Sequence, residues 1–321
     1  MKKFLGWISL YLINVLLITV LINYLYDTMN KNDTEGLHRF RNVPEEIQIC
    51  NFGSSHGFFG FDYEEVEGFE CFNFALMGQG FNYDRRIFEY YKDNIAKGAV
   101  VFIPVSYFSF YGSGEGNIGF AEERNARYYS FLPPRLIQNY DLKTDLCVKF
   151  SSLTAKEDLI RVLSGRSRNL GDDTWNTITT EILVNERIED EAIGHIITEK
   201  FDDDGNRVVN YDCLDDVRYI ITSLQEKGCI PILITTPFTK EYTDEVTRLD
   251  PAFYNSFYSL INEIIKETGI EYYDFAFDER FWGKYEYFMD SNHLNRDGAK
   301  YFMQILMIEV VEPILAEGSA A

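Results

Sequence analysis

Two short stretches at opposite ends of the chain hold residue types suited to nucleophilic catalysis. "NFGSSHGFFGF" (51–61) places Ser54, Ser55 and His56 between glycines, directly after the apolar run "EIQIC". Alone, a glycine-flanked serine reads as a turn, because Gly and Ser both suit unusual backbone angles. "FMDSNHLNRDGAKYF" (288–302) places Asp290 and His293 three residues apart. In a helical turn that spacing puts both side chains on one side, where a carboxylate can orient an imidazole. An Asp that accepts the Nδ1–H fixes the tautomer and leaves Nε2 as a base toward a serine. Alone, D-x-x-H also reads as a helix cap followed by a surface histidine. The chain has four histidines: His38 follows the first apolar run, His195 falls in an irregular middle region, and His56 adjoins Ser55. Only His293 has a carboxylate at a useful spacing near a strand end.

The chain that must position these residues has 321 residues, 46% of them hydrophobic and 16% aromatic, enough to bury a sizeable core. Its length fits one large domain with insertions, or two small ones. A formal charge of −21 excludes a nucleic-acid face, which must be basic. The five cysteines (Cys50, Cys71, Cys147, Cys213, Cys229) form no C-x-x-C pair and no Cys/His cluster of zinc spacing. They read as structural thiols, three of them in apolar strand-like runs.

"FLGWISLYLINVLLITVLINYLY" (Phe4–Tyr26) has no charged residue and is long enough to cross a bilayer as a helix. It exceeds the apolar core of a cleaved signal and no A-x-A-like site ends it, so a signal anchor is expected. Lys2 and Lys3 favour a cytoplasmic N-terminus, opposed by Lys31, His38, Arg39 and Arg41 on the far side. The expected location is the cell membrane, single-pass, with the globular part outside the cytoplasm. Beyond the anchor, strand-like runs alternate with helical ones. "EIQICNF", "CFNFAL" (71–76), "AVVFIPVSYF" (99–108), "CIPILITTPF" and "IEYYDF" read as strands. "YDRRIFEYYKDNIAKG", "LDDVRYIITSLQEKG", "PAFYNSFYSLINEIIKETG" (opened by Pro251) and "NRDGAKYFMQILMIEVVEPIL" read as helices. This alternation implies an α/β fold with a doubly wound, five-stranded parallel sheet, and sites at the carboxyl ends of its strands. Residues 112–210 break the rhythm and read as a large insertion after strand three. It contains a Gly-rich run (112–119), a helical "PPRLIQNYDLKTDLCVKF", and "HIITEKFDDDGNRVVNY" (195–211) as two strands joined at an Asp-Gly turn. The expected division is an anchor over 1–28, a linker over 29–45 and one domain over 46–316, with "EGSAA" (317–321) set aside as an expression remnant.

A Gly-x-Ser after strand one and D-x-x-H-L before the last helix, in such a fold, resemble the SGNH/GDSL hydrolase superfamily. The resemblance spans Ile47 to about Leu315 without the insertion. It implies Ser55 as nucleophile, with Ser54 in place of the usual Asp of the Gly-Asp-Ser block, and Asp290 and His293 as acid and base. In "FNFALMGQG", Gly78 matches the glycine whose N–H helps form the oxyanion hole, with Gly80 as an alternative. After strand three the family has Gly-x-Asn-Asp, but here Pro104 stands at the glycine and Ser106 at the asparagine. The hydroxyl of Ser106 is expected to donate in place of that asparagine, as a shorter group. The oxyanion hole is thus expected from Ser55, Gly78 and Ser106, and the mechanism implied needs no metal or dissociable cofactor. The N-terminal span and the missing Gly-x-Asn-Asp are similar to a membrane-anchored branch that works beside membrane-bound O-acyltransferases, such as the D-alanine transfer protein of teichoic-acid esterification. That similarity implies an esterase or acyltransferase acting on esters of a cell-envelope polymer, with an acylated glycan as substrate and a membrane-bound O-acyltransferase as partner. The alternative is a catalytically weak or inactive scaffold of the same fold that binds glycan or that partner.

Overall fold

Five apolar runs pair as parallel strands: β1 (Ile47–Asn51), β2 (Cys71–Asn73), β3 (Ile95–Pro104), β4 (Ile230–Thr235) and β5 (Glu271–Asp274), in the spatial order β2-β1-β3-β4-β5. The computed structural model describes residues 2–29, 36–111, 125–154, 158–165, 185–197 and 208–319. The protein is therefore α/β with an all-parallel five-stranded sheet, preceded by an apolar helix α1 (Lys2–Met29) that is long and apolar enough to cross a membrane. The Gly-rich 112–119 and the Asp-Gly turn within 201–207 lie outside the described residues.

The strand order reverses beside β1, since the chain leaves β1 for β2 and returns to β3 on its other side. Sheets of this order carry their sites at the carboxyl ends of the strands at that reversal. One face buries Ile49, Val100, Phe102, Ile232 and Ile234 against Phe302, Met303 and Leu306 of the helix Arg296–Leu306. The alternate residues Cys50, Val101, Ile103 and Leu233 are equally buried, as period-two alternation requires of a sheet covered on both faces.

The chain runs on through α2 (Ser55–Gly60) and α3 (Phe81–Tyr91). Helical character was expected to continue to Gly98, but Ile95–Gly98 joins β3: Ile95 pairs with Ile47, and Gly98, at φ +83°, gives its N–H to Gly228 O at 2.8 Å. That left-handed glycine lets the strand slip register before Val100 pairs with Ile49. β3 ends at Pro104, short of the expected Phe108. Then follow α4 (Leu142–Lys149), α5 (Ser151–Thr154), α6 (Asp158–Leu163), α7 (Asn185–Ile197) and α8 (Tyr211–Lys227). His195–Ile197 end α7 and are not the start of a hairpin strand. α9 (Lys240–Leu249), α10 (Phe253–Thr268), α11 (Arg296–Leu306), a π-helical turn (Met307–Val311) and α12 (Glu312–Ser319) complete the order. α10 starts two residues beyond Pro251, with Ala252 at its cap.

The chain groups into two units, residues 1–42 with 120–174, and 43–119 with 175–321. The second contains the sheet. In the first, α5 and α6 pack on α1. Asn23 donates to Lys149 O at 2.8 Å and accepts from the Ser152 N–H at 3.1 Å, and the Ser151 hydroxyl donates to Asp27 at 3.2 Å.

Candidate active site

β1 delivers Ser55. After Asn51 the chain turns at Gly53, whose φ of +113° and close approach to the Pro104 ring suit only glycine. Ser54 caps α2 and Ser55 is its first residue. Two asparagines hold the helix to the sheet. Asn51 Nδ2 donates to Gly57 O at 3.0 Å, and Asn73 Nδ2 donates to Gly57 O and Phe61 O, each at 3.1 Å. A Cβ on Gly57 would lie 2.5 Å from Phe52 O, so the helix is seated as closely as its backbone allows.

His293 and Asp290 come from the loop between β5 and α11. The Asp290 to His293 segment is not helical. Asp290 Oδ1 accepts the N–H groups of Asn292 at 3.0 Å and His293 at 2.7 Å, a turn closed by the side chain itself. The expected spacing therefore works through different geometry. The same carboxylate accepts His293 Nδ1–H at 2.8 Å through Oδ2, and Ser55 Oγ lies 2.8 Å from His293 Nε2. All three side chains are half-buried and reachable from solvent. Burial pulls the Asp290 carboxyl up, but the His293 imidazole and the two backbone donors outweigh it and bring it down to about 2. The carboxylate thus remains charged beside the imidazole.

A second, buried set of polar groups adjoins this line. His56 Nδ1 lies 2.6 Å from Ser106 Oγ and His56 Nε2 lies 3.1 Å from Asn292 Oδ1. Asn292 turns its Nδ2 toward Glu191, 3.5 Å away, and Ser291 gives its hydroxyl to the same carboxylate. A carboxylate only accepts, so Asn292 faces it with its NH₂ and presents Oδ1 to His56. His56 then donates from Nε2 and accepts at Nδ1, which assigns the Ser106 hydroxyl hydrogen to His56. Burial, then the nearby His293 and His195, hold His56 well below the usual histidine range and keep it neutral. Ser106 was expected to face an oxyanion; its hydroxyl meets this competing partner instead. His195 completes the group, stacked on Phe108 with ring centres 4.5 Å apart and bonded to the Tyr242 hydroxyl, its pKa lowered by burial to about 4.

Gly78, at φ +61°, lies in the loop after β2. Among the described residues neither its N–H nor that of Ser55 has an acceptor. The two loops are tied together. Leu76 N–H donates to Gly53 O at 3.2 Å, and Asp84 Oδ1 accepts from Gly53 N at 2.9 Å and from Gln79 Nε2 at 2.6 Å. Asp84 is 1% exposed; burial pushes its carboxyl up to about 7, and its Oδ2 has no hydrogen-bond partner among the described residues. It lines a cavity of about 40 Å³ with Ser54, Gln79, Phe81, Pro104 and Phe108.

Some of this site lay beyond sequence reasoning. Adjacency to Ser55 marked His56 but gave it no partner, and Asn292 lay unnoticed between Asp290 and His293. Glu191 lies in a stretch read as insertion. Ile188 and Ala192, apolar residues one helical turn apart, were the available signal for α7, and both are buried. No protein-family model matches the chain, and no curated protein matches it.

Proposed function

We propose that this chain is a membrane-anchored serine esterase or O-acyltransferase of the SGNH/GDSL type, acting on ester groups such as O-acetyl of a cell-envelope polysaccharide. The observation that carries the reading is the line Ser55 Oγ–His293 Nε2 at 2.8 Å and His293 Nδ1–Asp290 Oδ2 at 2.8 Å. His293 takes the Ser55 proton as Oγ attacks the ester carbonyl, and charged Asp290 stabilises the imidazolium that forms. The N–H groups of Ser55 and Gly78 are the donors for the oxyanion. His293 then passes the proton to the departing alcohol, leaving an acyl group on Ser55. In the second half His293 deprotonates water, giving hydrolysis, or a sugar hydroxyl, giving transfer. α1 anchors the chain as a single span, with the sheet domain outside the cytoplasm and beside a membrane-bound O-acyltransferase.

The occupied Ser106 hydroxyl favours a slow enzyme within this reading, and supports the alternative of a glycan-binding scaffold. Two backbone donors would act without the third side-chain donor. Hydrolysis of p-nitrophenyl acetate and of an O-acetylated polysaccharide by the full chain in detergent tests the proposal. Ser55→Ala or His293→Ala is expected to lower the rate by about 10⁴-fold or more. An unchanged rate in Ser55→Ala would overturn the nucleophile assignment, and no rate in any form would favour the scaffold.

A further inference from the structure

We propose that the short helices packed on α1 form an interfacial foot, with aliphatic side chains inserted among the lipids where α1 leaves the bilayer. The inference rests on reading α1 as a membrane span. Along α1 nearly every side chain up to Val20 is exposed, whereas Ile22, Asn23 and Tyr26 are covered on one helix face. α5 and α6 pack on α1, and both polar atoms of the Asn23 side chain are bonded to the backbone where α4 passes into α5. From Phe4 to Asn23 a helix rises about 28 Å, close to the thickness of the hydrocarbon layer. Asn23 therefore marks the far boundary of that layer, and the segment bonded to it lies at lipid level.

Within that segment Val162 is buried, but five larger aliphatic side chains stay exposed. Leu142, Leu153 and Ile160 are 62%, 64% and 79% exposed, and Leu146 and Leu163 are exposed as well. Five large aliphatic groups left in water over so short a stretch have a ready partner in the acyl chains beside them. Charge points the same way. Residues 1–42 and 120–174 hold 14 of the 30 Lys and Arg but only 11 of the 51 Asp and Glu, a net +3, and the remaining residues carry −24. An anionic lipid surface attracts the first set and repels the second.

The test reconstitutes the full chain in vesicles of phosphatidylcholine and phosphatidylglycerol carrying an apolar diazirine dissolved in the acyl chains, with insertion sites mapped by mass spectrometry. Labelling of both α1 and residues 142–163, several-fold above that at Tyr211 and Ile308, supports the proposal; those two side chains are 68% and 65% exposed. Labelling of α1 with residues 142–163 at the level of Tyr211 overturns the foot and leaves the anchor standing. Labelling of neither overturns the anchor, and the foot with it. A variant with Leu153→Asp and Ile160→Asp is expected to lose the label over 142–163 and keep it in α1; retention over 142–163 would contradict insertion through those side chains.

Discussion

Asp290 does three things with one carboxylate: it closes its own turn, fixes the His293 tautomer, and supplies the charge that an imidazolium would need. Asp290→Asn is expected to lower ester turnover by about 10⁴-fold, as replacement of the orienting carboxylate does in serine-histidine-aspartate enzymes. A small loss in steady-state assays would mean that His293 is held without it. Ser106 is a sharper case, because its hydroxyl either serves His56 or serves an oxyanion. Ser106→Ala is expected to cost about 1–3 kcal/mol of stability by leaving His56 Nδ1 buried without a donor. It should leave acylation far less affected than the about 10²–10³-fold loss seen when an oxyanion donor is removed. A loss in that range would return the hydroxyl to the oxyanion hole. Asp84 makes a prediction in pH. Its folded carboxyl titrates near 7, well above an unfolded Asp at about 3.9. From about pH 4 to 7 the folded state holds a proton that the unfolded state has lost, so this group's contribution to stability falls as pH rises and levels off above 7. The expected loss is about 4 kcal/mol. The difference in unfolding free energy between the wild type and Asp84→Asn should follow that curve, and a pH-independent difference would contradict it.

At the scale of elements, the strands, α8 and α11 were legible because their periodicity comes from the core they build. α7 and α9 were not legible, since they lie in or beside stretches taken as insertion or loop; in the fold they pair with each other. The end of α3 was hidden for a related reason: Ile95–Gly98 continues a helical pattern, yet pairing with β1 outweighs that local preference. Asp290 and His293 were legible as a pair although the expected helix is absent, because a three-residue spacing also suits a turn closed by an Asp side chain. The His56–Asn292–Glu191 set was not legible, as its hydrogen bonds join side chains 236 and 101 positions apart in the chain. How α2 is seated can be tested directly. An added methyl on Gly57 meets the backbone oxygen of Phe52, which cannot yield as a side chain would. Gly57→Ala is expected to cost about 1–3 kcal/mol in thermal unfolding and to slow labelling of Ser55 by shifting α2. Wild-type labelling would show that this seat does not aim the serine.

For the whole molecule, α1 is long and apolar enough to cross a membrane. Attachment through an apolar helix does not depend on screened charge. The full chain is therefore expected to remain with the membrane fraction through high salt and alkaline carbonate, and release by either would contradict the anchor. On the proposed reading, Ser55 is a nucleophile activated by His293. Its most direct test is a fluorophosphonate adduct mapped by mass spectrometry on the full chain. An adduct is expected on Ser55 in the wild type, none in Ser55→Ala and slow formation in His293→Ala, whereas equal labelling of wild type and Ser55→Ala, or an adduct on another residue, would contradict that role.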